Sequence, residues 1–187
     1  MGTPADIQAL QEQFHAIERD AKALTDGLPE ELGTWHETAD SWSVAQCFDH
    51  LATGNRIYLD ALEKGALQAR KRGRLRRRPA RPGLIGRWFA NYLEPPATVP
   101  FKLKAPRKIA PRQGPALADA VTRFLRCHDQ VEAYLDENAD LDLARARFAN
   151  PFIPGLRFSL ATGLYVIAAH DRRHLWQAWR VRREAEQ

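Results

Sequence analysis

The stretch over residues 158–183 constrains the fold more than any other part of the chain, because its apolar residues recur at the spacing of one long helix. Ser159 is a favourable N-cap residue, no proline follows it, and arginines fill the last turn, where positive charge suits a helix C-terminus. The apolar stripe consists of Leu160, Leu164, Ile167, Ala168, His174, Leu175, Ala178 and Val181. A helix with such a stripe needs other elements to cover it.

Two histidines, His170 and His174, lie four residues apart at the margin of this stripe. At about 3.6 residues per turn they share one side of the helix, and the spacing allows both imidazoles to bind one metal ion. The alternative is a pair of partly buried histidines satisfied by hydrogen bonds. The spacing alone does not decide between the two.

Three further segments show helical periodicity, and no convincing pair of strands accompanies them. The first opens with Thr3 as N-cap and Pro4 in the first turn, and the second begins behind a capping box of Ser43 and Gln46. The predicted helices cover residues 3–27, 44–69 and 115–138. The sequence therefore predicts an all-α fold, a four-helix bundle that forms one domain over residues 1–187.

A basic, proline-rich insert separates the second and third of these helices, at about residues 70–114. Eight of the 12 prolines fall between Pro79 and Pro115, which excludes a long helix there. Residues 64–112 hold 15 Lys and Arg against one acid, so this region carries +14 and the rest of the chain about −9. The insert is predicted to be a long crossover with one short helix in GLIGRWFANYL and an extended VPFKLKAP segment.

The remaining composition narrows the class of protein. No apolar run approaches the length of about 18 residues that a membrane span needs, and the first residues lack the pattern of a signal peptide. Cys47 and Cys127 do not make a disulfide framework. We therefore expect a cytoplasmic protein.

A third histidine, His50, lies on the flank of the core face of the second helix. A bundle that places this helix beside the last one allows His50, His170 and His174 to meet. Three neutral imidazoles without a fourth protein ligand leave a coordination position open, which is typical of a catalytic metal site.

Two segments carry a resemblance to a known family: WSVAQCFDHL at residues 42–51 and NPFIPGLRFSLATGLYVIAAHDRRHLWQ at residues 150–177. In their order and separation they resemble the DinB-like superfamily of metal-binding four-helix-bundle proteins. The resemblance implies that His50, His170 and His174 bind a divalent transition metal, which would be nickel, zinc, manganese or iron. The arginine-rich run RKRGRLRRRPARPG is not part of that family pattern.

The resemblance also implies a function. Relatives in this family are similar to thiol-dependent S-transferases and isomerases, so we expect a bound metal to activate a low-molecular-weight thiol or a water for attack on a small electrophile. It assigns no catalytic or cofactor-binding residue beyond the metal ligands. A homodimer is expected.

Two alternatives stay open. The protein could be a non-catalytic, stress-linked protein that keeps the metal as structure. It could also be an anion-binding module, whose residues 70–87 contact nucleic acid or an anionic membrane with nine Lys and Arg. A solvated insert that folds against the acidic body is favoured over that second alternative.

Other residues near the predicted site are interpreted as structural or surface residues rather than as parts of the site. His128 is interpreted as a satisfied core histidine rather than a fourth ligand or a proton shuttle. Cys47 is interpreted as a small buried residue rather than a sulfur ligand. Trp88 is expected either to cover the metal pocket or to pack on the bundle. Four acids lie at suitable helical levels to support the ligands but are interpreted as solvated surface charges: Asp49, Asp129, Glu132 and Asp171.

Overall fold

The computed structural model describes residues 2–96 and 106–187, and most of these residues are helical. The α-helices are α1 (Ala5–Thr25), α2 (Glu30–Gly33), α3 (Val44–Lys71), α4 (Leu84–Leu93), α5 (Leu117–Glu137) and α6 (Leu160–Ala185). A 3₁₀ turn covers Arg107–Ile109, and two short strands are β1 (Arg147–Ala149) and β2 (Arg157–Ser159). The predicted helical fold is confirmed. The VPFKLKAP segment, except for its last residue, lies outside the described residues.

The four long helices pack in a ring in which α3 and α1 each contact both α5 and α6. Each helix buries its apolar stripe in the centre, where Phe14, Phe48 and Phe124 are fully buried. The rings of Phe48 and Phe124 meet edge to face with centroids 5.3 Å apart. Burial of one such side chain stabilises the fold by about 1.5 to 3 kcal/mol. This core joins α3 to α5, and α3 also packs directly on α6.

The helix starts follow the capping residues, with one difference. The capping box is present: Ser43 Oγ accepts from the Gln46 amide at 3.1 Å, and Gln46 Oε1 accepts from the Ser43 amide at 3.2 Å. Ser159 caps α6 by accepting from the amide of Thr162. At α1 the N-cap is Pro4, which makes no side-chain cap bond, so the prediction of Thr3 was wrong by one residue.

A small antiparallel hairpin precedes α6, and the expectation that no strands pair was wrong. Phe148 of β1 lies opposite Phe158 of β2, and both side chains are buried. Each strand is three residues long, too short for an alternating pattern to be recognised. Gly65 of α3 faces this hairpin, since a Cβ there would lie 2.9 Å from Cβ of Phe148.

Part of the basic insert folds against the acidic body. Asp6 of α1 binds the Arg76 guanidinium and accepts from the Ala80 amide at 2.6 Å. Arg70 pairs with Asp140 at 2.9 Å. The insert then forms α4, which packs on α6 through Gly86 and on Phe158 of β2 through Phe89. Among residues 2–96 and 106–187, no helix is long and apolar enough to span a membrane.

Candidate metal site

Helices α3 and α6 bring together the three histidines that the sequence singled out. His50 comes from α3, and His170 and His174 lie one turn apart on α6. One possible ligand atom of each residue lies within 4.8 Å of the others. Nε2 of His50 is 3.2 Å from Nε2 of His170, and the rings of His50 and His174 have centroids 4.5 Å apart. The three imidazoles therefore converge on one small volume.

Hydrogen bonds at the far side of two rings fix their tautomers. Nδ1 of His50 lies 2.6 Å from the carbonyl oxygen of Ile109, which only accepts, so Nδ1 carries the proton. Nδ1 of His174 lies 3.0 Å from Oε1 of Gln177 and donates in the same way. Both rings are left with a lone pair on Nε2. This is the arrangement that orients an imidazole ligand toward a metal.

The three imidazoles are neutral at physiological pH. Burial lowers the pKa of His50 below 6.5. Burial, His174 and His50 together lower the pKa of His170 well below that value. Burial, followed by the nearby His50, lowers the pKa of His174 to about 3. Neutral imidazole is the form that binds a metal ion, so the site is prepared to donate three nitrogen lone pairs.

Trp42 encloses two of the rings. Its ring stacks on His174 with centroids 5.6 Å apart and an interplanar angle of 25°. It also tilts against His50 at 4.8 Å. Trp42 directly precedes the Ser43 cap of α3, so the same local structure that starts the helix also positions this indole. The contacts restrict rotation of both imidazoles.

Asp49 is buried beside the site, which corrects its interpretation as a surface charge. Its side chain is 1% exposed and accepts from both the amide and Nε of Arg112 at 2.8 Å, and from Nη1 of Arg123 at 2.6 Å. Burial alone would raise the pKa of Asp49, but the bonds from Arg112 and Arg123 outweigh it and lower the pKa below 3.8. The carboxylate thereby clamps the segment that contains Ile109.

Asp171 is also buried, at 0% exposure, and its interpretation as a surface charge was wrong. Its carboxylate accepts from Nδ2 of Asn55 at 2.9 Å and lies 3.0 Å from Nε2 of His128. His128 is thus a buried core histidine, as interpreted, but only Nε2 is satisfied: its buried Nδ1 has no hydrogen-bond partner among the described residues. The sequence identified neither partner of Asp171, because both lie on other helices.

Of the other two acids, Asp129 is a surface charge, as interpreted, whereas Glu132 is partly buried. Asp129 is exposed, and Glu132 pairs with His15 at 2.7 Å with 30% of its side chain exposed. In the described part of the chain, no carboxylate hydrogen-bonds directly to His50, His170 or His174. A backbone carbonyl orients His50 and a side-chain amide orients His174 instead.

The family comparison agrees with this geometry. The family model of the DinB superfamily matches residues 13–178, which include all three histidines. The chain belongs to the DinB superfamily. No curated protein and no solved structure matches the chain. The resemblance predicted from the two short segments is therefore confirmed for this chain at the level of the superfamily.

The donor set fits a divalent transition metal in this member of the DinB superfamily. Because Nε2 of His50 has a lone pair, its 3.2 Å approach to Nε2 of His170 requires either a proton on His170 or a cation between the two nitrogens. No cysteine or carboxylate of the described ranges joins the three histidines. An ion held by them would keep an open position.

Cys47 does not belong to the group. Its thiol is buried, and burial raises its pKa to about 12, so the protonated form dominates. The group whose ligand atoms lie within 4.8 Å of one another consists of His50, His170 and His174, without Cys47. The interpretation of Cys47 as a small buried residue agrees with the structure.

Three residues of the site were missed by the sequence analysis. Gln177 follows His174 by three positions on the same helix, a spacing that places it beside the ring, so this partner was detectable. Trp42 lies in the segment at residues 42–51 that resembles the family, but its stacking on His174 depends on tertiary packing. Ile109 acts through its backbone carbonyl, for which the sequence carries no signal.

Proposed function

We propose that this member of the DinB superfamily is a divalent-metal-dependent enzyme in which a thiol or a water attacks a small electrophile. The observation that carries the proposal is the convergence of three neutral imidazoles from two helices, with no fourth protein ligand among the described residues. A closed structural site would supply four ligands. We also propose that the fold is a four-helix bundle in which residues 70–114 form the crossover between the second and third long helices.

Each residue then has a definite role. His50, His170 and His174 hold the ion through ring nitrogens, and the Ile109 carbonyl and Gln177 keep two of the rings aligned. When bound, the ion supplies Lewis acidity and lowers the pKa of a thiol or water at its open position. Trp42 and the surrounding apolar residues exclude bulk water from one side of the rings.

Nickel, zinc, manganese and iron are all divalent candidates for this site. Imidazole nitrogen suits zinc, nickel and iron better than manganese, which prefers oxygen ligands. The thiol co-substrate follows from the similarity of this family to thiol-dependent transferases. A homodimer and a cytoplasmic location complete the proposal, and the free, buried state of Cys47 and Cys127 supports a reducing compartment.

Elemental analysis of tag-free protein tests the metal site directly. We expect about one equivalent of a transition metal per chain in the wild type, and a loss in both His50→Ala and His170→Ala/His174→Ala. The control is His36→Ala, because His36 is exposed and lies outside the group. A wild-type protein that stays metal-free after incubation with nickel and with zinc would overturn the proposal.

Turnover separates the enzyme from the non-catalytic alternative. The metal-loaded protein is incubated with several low-molecular-weight thiols and a model electrophile, and thiol consumption is followed. Consumption that is lost in His50→Ala supports the enzyme. A metal-loaded protein with no turnover, but with a large fall in melting temperature on chelation, would favour a structural metal instead.

A further inference from the structure

Among the described residues, 2–96 and 106–187, nothing covers the apolar outer face of α4, although Trp88 was expected to lie against the rest of the protein. Leu84 is 78% exposed, Ile85 75% and Trp88 66%. Within the part of the chain that the structure describes, the ring of Trp88 stacks on Tyr92 of the same helix, with centroids 5.9 Å apart. Scattered single apolar residues are common on surfaces, but several on one helical turn indicate a contact site.

The two faces of α4 are clearly divided. At about 100° per residue, Leu84, Ile85, Trp88 and Tyr92 fall on one side of the helix. Gly86 and Ala90 are buried on the other side, where Gly86 contacts Thr162 of α6. Phe89 packs on Phe158 below the same inner side. The body therefore holds α4 flat on its surface and presents the apolar face outward.

Exposed arginines precede α4 in the chain, and Arg87 lies on the helix itself. Arg70, Arg76 and Arg78 lie within ion-pair distance of acids of the body. Five others are exposed without an acid in ion-pair distance among the described residues: Arg72, Arg74, Arg77, Arg81 and Arg87. The insert therefore folds against the acidic body only in part, and a positively charged segment runs directly into the apolar face of α4.

We propose that α4 and these five arginines form a docking surface for an anionic phospholipid membrane. An amphipathic helix lying in the interface inserts Leu84, Ile85 and Trp88 among the acyl chains, and Trp88 is a residue that favours the headgroup boundary. The arginines bind lipid phosphates at the same level. We call this set of residues the α4 surface.

The chemistry of the α4 surface favours lipid over other occupants. Nucleic acid binding uses aromatic rings for stacking and leaves little use for the aliphatic Leu84 and Ile85. A symmetric second copy would bring the arginines of two chains together, which costs electrostatic energy. An anionic bilayer offers an apolar interior and negative charge in one surface, and it complements both features.

Vesicle co-sedimentation of the full chain tests the proposal. The probes are vesicles of phosphatidylcholine alone and vesicles of equimolar phosphatidylcholine and phosphatidylglycerol, at low salt. We expect binding to the second kind only, and a fall in binding as salt screens the charges. Tryptophan emission should shift to the blue on binding, and Trp88→Phe should abolish most of this shift while binding persists.

Two double variants separate the apolar and the charged contributions. Ile85→Ser/Trp88→Ser should lower the vesicle partition coefficient about tenfold or more. Arg77→Gln/Arg87→Gln should lower it about 20- to 30-fold, because each arginine near an anionic surface contributes about fivefold. The matched controls are Leu67→Ser, an exposed apolar residue of α3 on the side of α5, and Arg126→Gln, an exposed arginine of α5. Both controls should bind like the wild type.

Three results would overturn the proposal. The first is no binding of the wild type to phosphatidylglycerol vesicles at low salt. The second is binding to single-stranded DNA but not to vesicles, which would assign the surface to nucleic acid. The third is a concentration-dependent dimer that Ile85→Ser/Trp88→Ser dissociates, without vesicle binding, which would assign it to a second copy. None of these results depends on the metal site.

Discussion

The carbonyl oxygen of Ile109 lies 2.6 Å from Nδ1 of His50, across a separation of 59 residues in the chain. The end of the proline-rich insert therefore determines which nitrogen of His50 keeps a lone pair. Asp49, the neighbour of His50, binds Arg112 three residues beyond that carbonyl. The carboxylate thus acts on the candidate metal site through the segment that it holds, without contacting the imidazole.

Weakening this clamp should reduce metal affinity while all three ligands remain. The two variants are Asp49→Asn and Arg112→Gln, and the second leaves the buried core intact. For each we expect zinc or nickel to bind about 10- to 100-fold more weakly, which is the usual cost of losing a partner that orients a ligand. Competition of the metal-free protein with a chromophoric chelator measures the affinity, and circular dichroism verifies the fold.

The matched control is Asp119→Asn. Asp119 also binds the Arg112 guanidinium, but 54% of its side chain is exposed, and it lies on α5, so it does not join the segment to the helix that carries His50. Its substitution should change metal affinity by less than about twofold. Equal affinities for wild type, Asp49→Asn and Arg112→Gln would show that the clamp does not orient His50.

The sequence was sufficient for the elements with strong periodic patterns. The helix predicted over residues 44–69 is observed as Val44–Lys71, and the final helix is observed as Leu160–Ala185 because Phe158 and Ser159 belong to β2. The histidines were identified because i, i+4 spacing on a helix has one geometric meaning. These features follow from the spacing and capping of neighbouring residues, so the sequence alone predicts them.

The missing parts depend on contacts between distant residues. The sequence indicates a surface charge at Asp171, because its partners Asn55 and His128 lie on two other helices. Trp88 looked like a core or lid residue, since nothing in its neighbours shows which side of α4 faces α6. That choice is made by Gly86, whose missing side chain permits close approach to Thr162.

Cys47 should resist alkylation in the folded protein. Burial raises its pKa from 9.0 to about 12, so the thiolate fraction at neutral pH is about one in 10⁵. We expect iodoacetamide to leave Cys47 unmodified in the native state and to modify it fully in guanidinium chloride, as measured by mass spectrometry of its peptide. Rapid labelling of native Cys47 would mean that the thiol is accessible and available as a ligand.

Asp6 should make stability depend on acid pH. Burial would raise its pKa, but hydrogen bonds from Arg76 and the Ala80 amide outweigh it, so the pKa is lowered below 3.8. A lowered folded-state pKa adds stability that is present above the unfolded value and is lost as the pH falls through the folded one. Asp6→Asn should therefore cost about 1 to 2 kcal/mol at neutral pH and progressively less below about pH 4.

Urea unfolding of wild type and Asp6→Asn at neutral and acid pH measures this difference. Asp26→Asn is the control, because Asp26 is exposed and its carboxylate has no hydrogen-bond partner among the described residues. It should change stability by less than about 0.5 kcal/mol at either pH. A cost for Asp6→Asn that stays constant across the pH range would mean that the carboxylate charge is not what holds the insert.

Gly86→Ala should separate α4 from α6. A Cβ at Gly86 would lie 2.7 Å from Cγ2 of Thr162, and the Thr162 hydroxyl is itself 2.8 Å from Oγ of the cap residue Ser159, which resists its rotation. Overpacking of this kind costs about 1 to 3 kcal/mol, measured by urea unfolding. The control is Gly83→Ala, because Gly83 has a φ of −68° and nothing lies within 4 Å of a Cβ there.

In a double-mutant cycle of Gly86→Ala with Thr162→Ala, the second substitution should recover part of the lost stability, since it removes the atoms that clash. Simple additivity of the two substitutions would show that α4 tolerates the methyl group by shifting along α6, and that the close contact does not set its orientation.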